Sequence, residues 1–150
     1  MWSCTVDGEP VAKGRPRVSV FRGRPRIRTP QRTAKWESMA ANVLREAWSQ
    51  EPLAGPVTVS VLVSMPRPLR LICSHVRTCS CSSLVKSGAA TVHTGKPDLD
   101  NLIKAALDAL VRAGVVEDDR QVVGIAATKH YAAVGATPGV TFAVTPMGLR

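Results

Sequence analysis

The chain has 150 residues, 45% of them hydrophobic, enough for one domain with a real core and too few for two ordinary ones. Twenty Lys and Arg against 11 Asp and Glu give a net charge of +9, which points to polyanionic partners, nucleic acid before an anionic membrane. No run approaches the roughly 18 apolar residues of a membrane span. The first residues lack the order of a signal peptide, and no long basic amphipathic helix is visible. A cytoplasmic protein with no membrane partner is expected.

Ser3 to Val6 reads as a first short strand and Val18 to Phe21 as a second. Between them lies Lys13-Gly14-Arg15-Pro16-Arg17, and from Lys13 to Lys35 there are nine cations and no acid. Arg22, Arg24, Arg26 and Arg28 alternate with Gly23, Pro25 and Ile27. In an extended chain a period of two puts four guanidinium groups on one side, a ribbon suited to a phosphate backbone. With Lys13, Arg15 and Arg17 these are the candidate DNA-binding residues; the competing reading is a solvated basic loop.

Thr29-Pro30-Gln31 marks a helix start, with Thr29 as cap and Pro30 in the first helical position. The helix should run to about Ser49. Trp36, Met39, Ala40, Val43, Leu44, Ala47 and Trp48 recur at spacings of three and four, which makes the two tryptophans core residues rather than base-stacking platforms. Leu53-Ala54-Gly55-Pro56 is a turn, and Val57 to Val63 alternates as a strand buried on its valine face. Residues 66–97 show no clear period. A loop of that length in a small domain is usually functional or disordered, and this one leads into the acidic motif as a flap would. It carries Cys73, Cys79 and Cys81; with Cys4 they are read as reduced thiols, because Cys73-x-His75-x3-Cys79-x-Cys81 is spaced too tightly for the usual zinc pairs.

Asp98 to Arg112 is a helix, stopped by Gly114, with Leu99, Leu102, Ile103, Ala106, Leu107, Leu110 and Val111 as its apolar stripe. Asp100, Lys104 and Asp108 follow one another at i, i+4, i+8 on another side. Gln121 to Tyr131 and Gly139 to Val144 are two final strands, in which His130 is read as packed; His75 and His93 take no role. The order β-β-α-β-α-β-β predicts a single α+β domain with a mixed sheet packed on two helices.

Six of the 11 acids lie between Asp98 and Asp119. A helix start favours acids, so Asp98 as a cap and Asp100 as a first-turn acid would need no further role. That account leaves out Asp118 and Asp119. Four gathered carboxylates repel one another unless a cation sits among them, and hard oxygen ligands suit magnesium, with manganese as substitute. Such an ion activates a water and stabilises a leaving oxygen in phosphodiester hydrolysis. Lys104 could assist the developing charge or merely pair with Asp100 or Asp108 on the helix surface.

Length limits how the acids meet. The helix from Asp98 to Arg112 rises about 21 Å, and the extended chain from Arg112 to Asp119 returns at most ~24 Å. A one-chain site is barely reachable, so a homodimer with composite sites is expected.

KPDLDNLIKAALDAL followed by EDDRQV resembles the RusA-type Holliday junction resolvases of bacteria and their phages. Lys13-Gly14-Arg15-Pro16-Arg17 and Met65-Pro66-Arg67-Pro68 add to the likeness, which spans about Val11 to Tyr131. The resemblance implies a dimeric, magnesium-dependent endonuclease that cuts four-way DNA junctions by paired nicks in recombination and repair, without a small-molecule cofactor. It implies Asp98, Asp100 and Asp119 as essential acids, Lys104 as the essential lysine, and Asp118 as an adjacent acid of the metal region. The stretch from Cys73 to Thr91 matches no feature of the family. A metal nuclease for other branched DNA and a non-catalytic DNA-binding module are the alternatives.

Overall fold

The computed structural model describes residues 1–68, 71–72 and 91–148. Among these residues six strands and two α-helices follow the expected class: β1 (Trp2–Asp7), β2 (Arg17–Phe21), β3 (Arg24–Arg28), α1 (Gln31–Ala47), β4 (Val57–Met65), α2 (Leu99–Ala113), β5 (Val122–Tyr131) and β6 (Gly139–Pro146). Four of the strands form a sheet in the order β1-β6-β4-β5, with β4 and β5 parallel and the other pairs antiparallel. The expected mixed sheet is thus present, and the chain forms one domain.

The alternation in β4 explains how the layers stack. Val57, Val59, Val61, Val63 and Met65 are buried and share one cluster with Trp36, Ala40, Leu44 and Trp48 of the α1 region and Leu102, Ala106 and Leu110 of α2. Both helices therefore cover the valine face. At ~1.5–3 kcal/mol for each large side chain removed from water, this one face supplies most of the hydrophobic stabilisation. Both tryptophans belong to the core, as expected: Trp36 is buried, and Trp48 packs edge-on against Trp2 with ring centroids 5.2 Å apart.

Two local expectations shift. The cap position of α1 is Pro30 rather than Thr29, with ψ 139°, and its carbonyl accepts from the Ala34 amide at 3.0 Å; no side chain caps this end. Thr33 instead clasps the preceding segment, accepting from the Gly14 amide and donating to the Ala12 carbonyl. A Cβ on Gly14 would stand 2.7 Å from Pro30 Cγ, so the close approach needs glycine.

The basic ribbon is the second difference. Arg24–Arg28 is a strand of its own, paired with β2 in a separate two-stranded sheet, so the order has one strand more than the sequence predicts. Arg22 and Gly23 both have positive φ, 51° and 74°, the two-residue turn whose twist suits a hairpin. Cross-strand partners share a face. Arg17/Arg28, Ser19/Arg26 and Phe21/Arg24 lie on one side, and Val18/Ile27 and Val20/Pro25 on the other. Arg22 sits in the turn and leaves the alternation, while Arg17 joins the basic face from the other strand.

Gly114 ends α2 as expected. Its φ is 77°, its amide donates to Val111 O, and the Val115 amide reaches back to Leu110 O, which closes a Schellman motif over a fully buried Val115. Among the described residues no helix is long and apolar enough to cross a membrane. Cys73, His75, Cys79, Cys81 and most of the expected flap lie outside the described residues.

Candidate active site

The β4-α2-β5 unit decides where the acids go. Parallel strands joined by a crossover helix put the start of α2 at the carboxyl end of β5 and its end at the amino end. Hydrogen bonds pin both ends. Lys129, late in β5, donates to the carbonyls of Gly95 at 2.7 Å and Pro97 at 2.5 Å and so fixes the approach to Asp98. At the far end the Leu53 amide donates to Val115 O, and the Gln121 side chain donates to Leu53 O and Gly55 O.

Asp98 occupies the cap position of α2 with extended backbone, but its side chain makes no capping hydrogen bond. It is exposed, as is Asp100. Lys104 donates to Asp100 Oδ2 at 3.1 Å, the expected i, i+4 pair, and this bond holds the Asp100 carboxyl below its ordinary range. Asp100 is therefore ionised at neutral pH.

Asp118 and Asp119 stand at the opposite end. α2 has 15 residues, so the two acid pairs are separated by about 20 Å along its axis. Asp119 opens a one-turn 3₁₀ helix, Asp119–Gln121, and Asp118 caps it. Asp118 Oδ1 accepts from both the backbone and side-chain nitrogens of Arg120 at 2.9 Å, and these bonds lower its pKa. Gln121 Oε1 returns the cap by accepting from the Asp118 and Glu117 amides. Asp118 thus has a structural task of its own. Asp119 is exposed and, with Asp118, lines a cleft beside α2.

That cleft, about 500 Å³, is lined by Lys13, Glu37, Asp108, Arg112, Asp118 and Asp119, with Thr29 and Val111. It contains the main feature missed in the sequence. Glu37 is 1% exposed on the packed face of α1, and Lys13 Nζ reaches its Oε1 at 2.8 Å. The same ammonium pairs with Asp108, and Arg112 approaches Glu37 Oε2 at 3.5 Å. The Lys13 amide is held by Asn101 O at 2.8 Å, so the segment before the ribbon is fastened to both helices. Burial pulls the Lys13 pKa down, but the bonds to Asp108 and Glu37 outweigh it and leave the pKa raised. Lys13, expected among the phosphate ligands, has two acidic partners inside the domain. Arg15, Arg17, Arg22, Arg24, Arg26 and Arg28 are all exposed.

The structure therefore brings together Asp98, Asp100 and Lys104 at one end of α2 and Asp118 and Asp119 at the other, and it does not join the two sets within one chain. Among the described residues no three His, Cys, Asp or Glu side chains gather closely enough to hold a metal ion. His130 is tied to Ser64 Oγ at 2.9 Å, as a packed strand residue. His93 stacks edge-on against Tyr131, 4.8 Å between centroids; burial first, then Lys129, lowers its pKa.

The family model for endodeoxyribonuclease RusA matches residues 7–144, nearly the whole chain. The chain belongs to the RusA endodeoxyribonuclease family. It is also 34% identical over 127 residues to the uncharacterized protein YqaN of Bacillus subtilis (strain 168), covering 85% of each chain. The RusA match spans the hairpin, α2 and the Asp118-Asp119 turn together, so the basic ribbon and both acid pairs fall inside the family's domain.

Proposed function

We propose that this RusA-family protein is a magnesium-dependent endonuclease acting in the cytoplasm of a bacterium on branched DNA, four-way junctions first, in recombination and repair. In this reading it works as a homodimer with two composite sites. Asp98 and Asp100 of one chain meet Asp118 and Asp119 of the partner subunit. The observation that carries the reading is the placement of the two acid pairs at opposite ends of α2, about 20 Å apart along its axis, with Asp98, Asp100 and Asp119 exposed.

The donor set fits the ion. Carboxylate oxygens suit magnesium, or manganese in its place; Asp100 is ionised, and Asp98 is not used as a helix cap. Asp118 keeps Oδ2 beyond its capping bonds. Bound there, the ion would supply an activated water and stabilise the leaving oxygen. The protein does the rest. Arg17, Arg24, Arg26 and Arg28 on one ribbon face neutralise phosphates and set the DNA's course. A two-fold dimer presents two such sites to a two-fold junction, one per scissile strand. Lys104, one turn into α2, orients Asp100 in the resting protein and can turn its exposed ammonium to a phosphate oxygen.

Two results follow from these roles. Lys104→Met lowers the cleavage rate constant by roughly a hundredfold and leaves junction affinity within a few-fold, because the ammonium lies off the ribbon; single-turnover kinetics reads both. Replacing Arg24, Arg26 or Arg28 by Gln lowers DNA affinity regardless of sequence and reduces the slope of log K against log salt by about one each.

The reading itself is tested by substrate choice. With magnesium, the protein should nick a synthetic four-way junction symmetrically and leave a linear duplex of the same sequence intact. Preference for flaps or forks would make it a metal nuclease of another kind. Junction binding with no cleavage under any divalent ion would make it a binding module.

A further inference from the structure

The chain contains six aromatic residues of the Phe, Trp and Tyr types. Five are built into the domain. Trp36, Trp48 and Phe142 are buried, and Trp2 and Tyr131 pack against the core. Phe21 alone stands outside it, 51% exposed. It is the last residue of β2, beside the Arg22-Gly23 turn, on a hairpin that forms no part of the main sheet. A phenylalanine there contributes little to the core. Its register places it on the face of Arg17, Arg24, Arg26 and Arg28, not on the valine side where an apolar residue would have apolar neighbours.

The guanidinium carbons of Arg26 and Arg22 lie 5.0 and 5.5 Å from the ring centroid. These contacts order the ring at the ribbon tip and put cations beside it. An aromatic ring flanked by cations matches a nucleotide, with a base to stack on the ring and phosphates on either side for the arginines. A linear duplex keeps its bases stacked on both faces and offers the ring nothing. A branch point exposes base faces and unpaired bases.

We infer that Phe21 is a stacking residue that recognises an exposed base at the branch point of the DNA, and so confers preference for branched over linear substrates. The inference rests on the proposed function for its partner. It assigns the ribbon two separate tasks. The arginines track phosphates on any DNA, and Phe21 reads the interruption in stacking.

The test measures binding to a four-way junction and to a matched duplex, in calcium to prevent cutting, for wild type, Phe21→Ala and Phe21→Trp. A fluorescent adenine analogue, 2-aminopurine, is placed at the branch point. Wild type should quench the analogue at the branch and not within an arm. Phe21→Ala should lose the branch quenching and lower the junction-over-duplex preference by roughly tenfold, and Phe21→Trp should retain both. Equal loss on junction and duplex would mean that Phe21 only stiffens the ribbon and would overturn the assignment, as would an unchanged preference. If wild type itself shows no preference for the junction, the proposed function fails first and the assignment with it. A preference that survives Phe21→Ala overturns the assignment alone.

Discussion

Asp100→Asn should reduce junction cleavage by at least about a thousandfold, the size of one lost transition-state contact of ~4 kcal/mol, while the protein stays folded and bound to DNA. Folding is spared because Asp100 is exposed and pairs with the exposed Lys104 on the next turn, a surface pair that salt screens. DNA binding is spared because the acid lies off the ribbon, and removing a negative charge near phosphates should if anything tighten the complex. A neighbouring acid supplies the control. Asp108 lies two turns further along the same helix and pairs with Lys13, so Asp108→Asn should cost stability more than catalysis. Parallel measurement of cleavage, junction affinity and melting temperature separates the two. Equal activity of Asp100→Asn and wild type would remove the acid from the site.

Lys13→Met should destabilise the fold by about 2–3 kcal/mol, seen as a lower urea midpoint at unchanged m-value. Glu37 lies at 2% side-chain exposure between the helices, and without Lys13 its one remaining cation among the described residues is Arg112, at 3.5 Å. The figure falls below the ~3–5 kcal/mol of a fully buried broken pair because Lys13 keeps some solvent contact and Arg112 remains. Replacing Glu37 by Leu along with Lys13→Met should recover most of the loss, since an apolar pair does not leave a buried charge unmatched. The Lys13 pKa is raised in the folded state, so its contribution is complete below the ordinary lysine range and disappears as pH rises through the folded value. Wild type should therefore lose stability above about pH 10 more steeply than Lys13→Met. Identical alkaline profiles would show that the ion pair adds nothing.

Strong local signals were legible in the sequence. The valine alternation of β4 needed only period two, the stop of α2 needed only Gly114, and Trp36 and Trp48 fell on one helical stripe. The hairpin was harder to see. Val18, Val20 and Ile27 are more than 70% exposed, so no buried face marks either strand, and Pro25 is a poor strand former. Its turn is Arg-Gly, not the Asn-Gly that announces such a hairpin. The Lys13-Glu37-Asp108 network joins residues 24 and 95 positions apart, which no local pattern reveals. A clue was nevertheless present: Glu37 sits beside Trp36 and four residues before Ala41, an acid inside the apolar stripe. Asp118-x-x-Gln121 likewise carried a capping-box signature, masked by the acid run in which it lies. The acids themselves were legible, and the chain-length argument anticipated their separation, because helix rise and chain reach depend on residue count alone.

The most direct test of a site shared between two chains is to mix Asp98→Asn with Asp119→Asn, each inactive alone, and to measure nicking of a labelled four-way junction. After random subunit exchange half the dimers are mixed, and each mixed dimer holds one site with all its acids, so nicking should recover to about a quarter of the wild-type level, in single rather than paired cuts. No recovery, with subunit exchange confirmed by mass after isotopic labelling of one variant, would mean that each chain completes its own site and would contradict the composite arrangement.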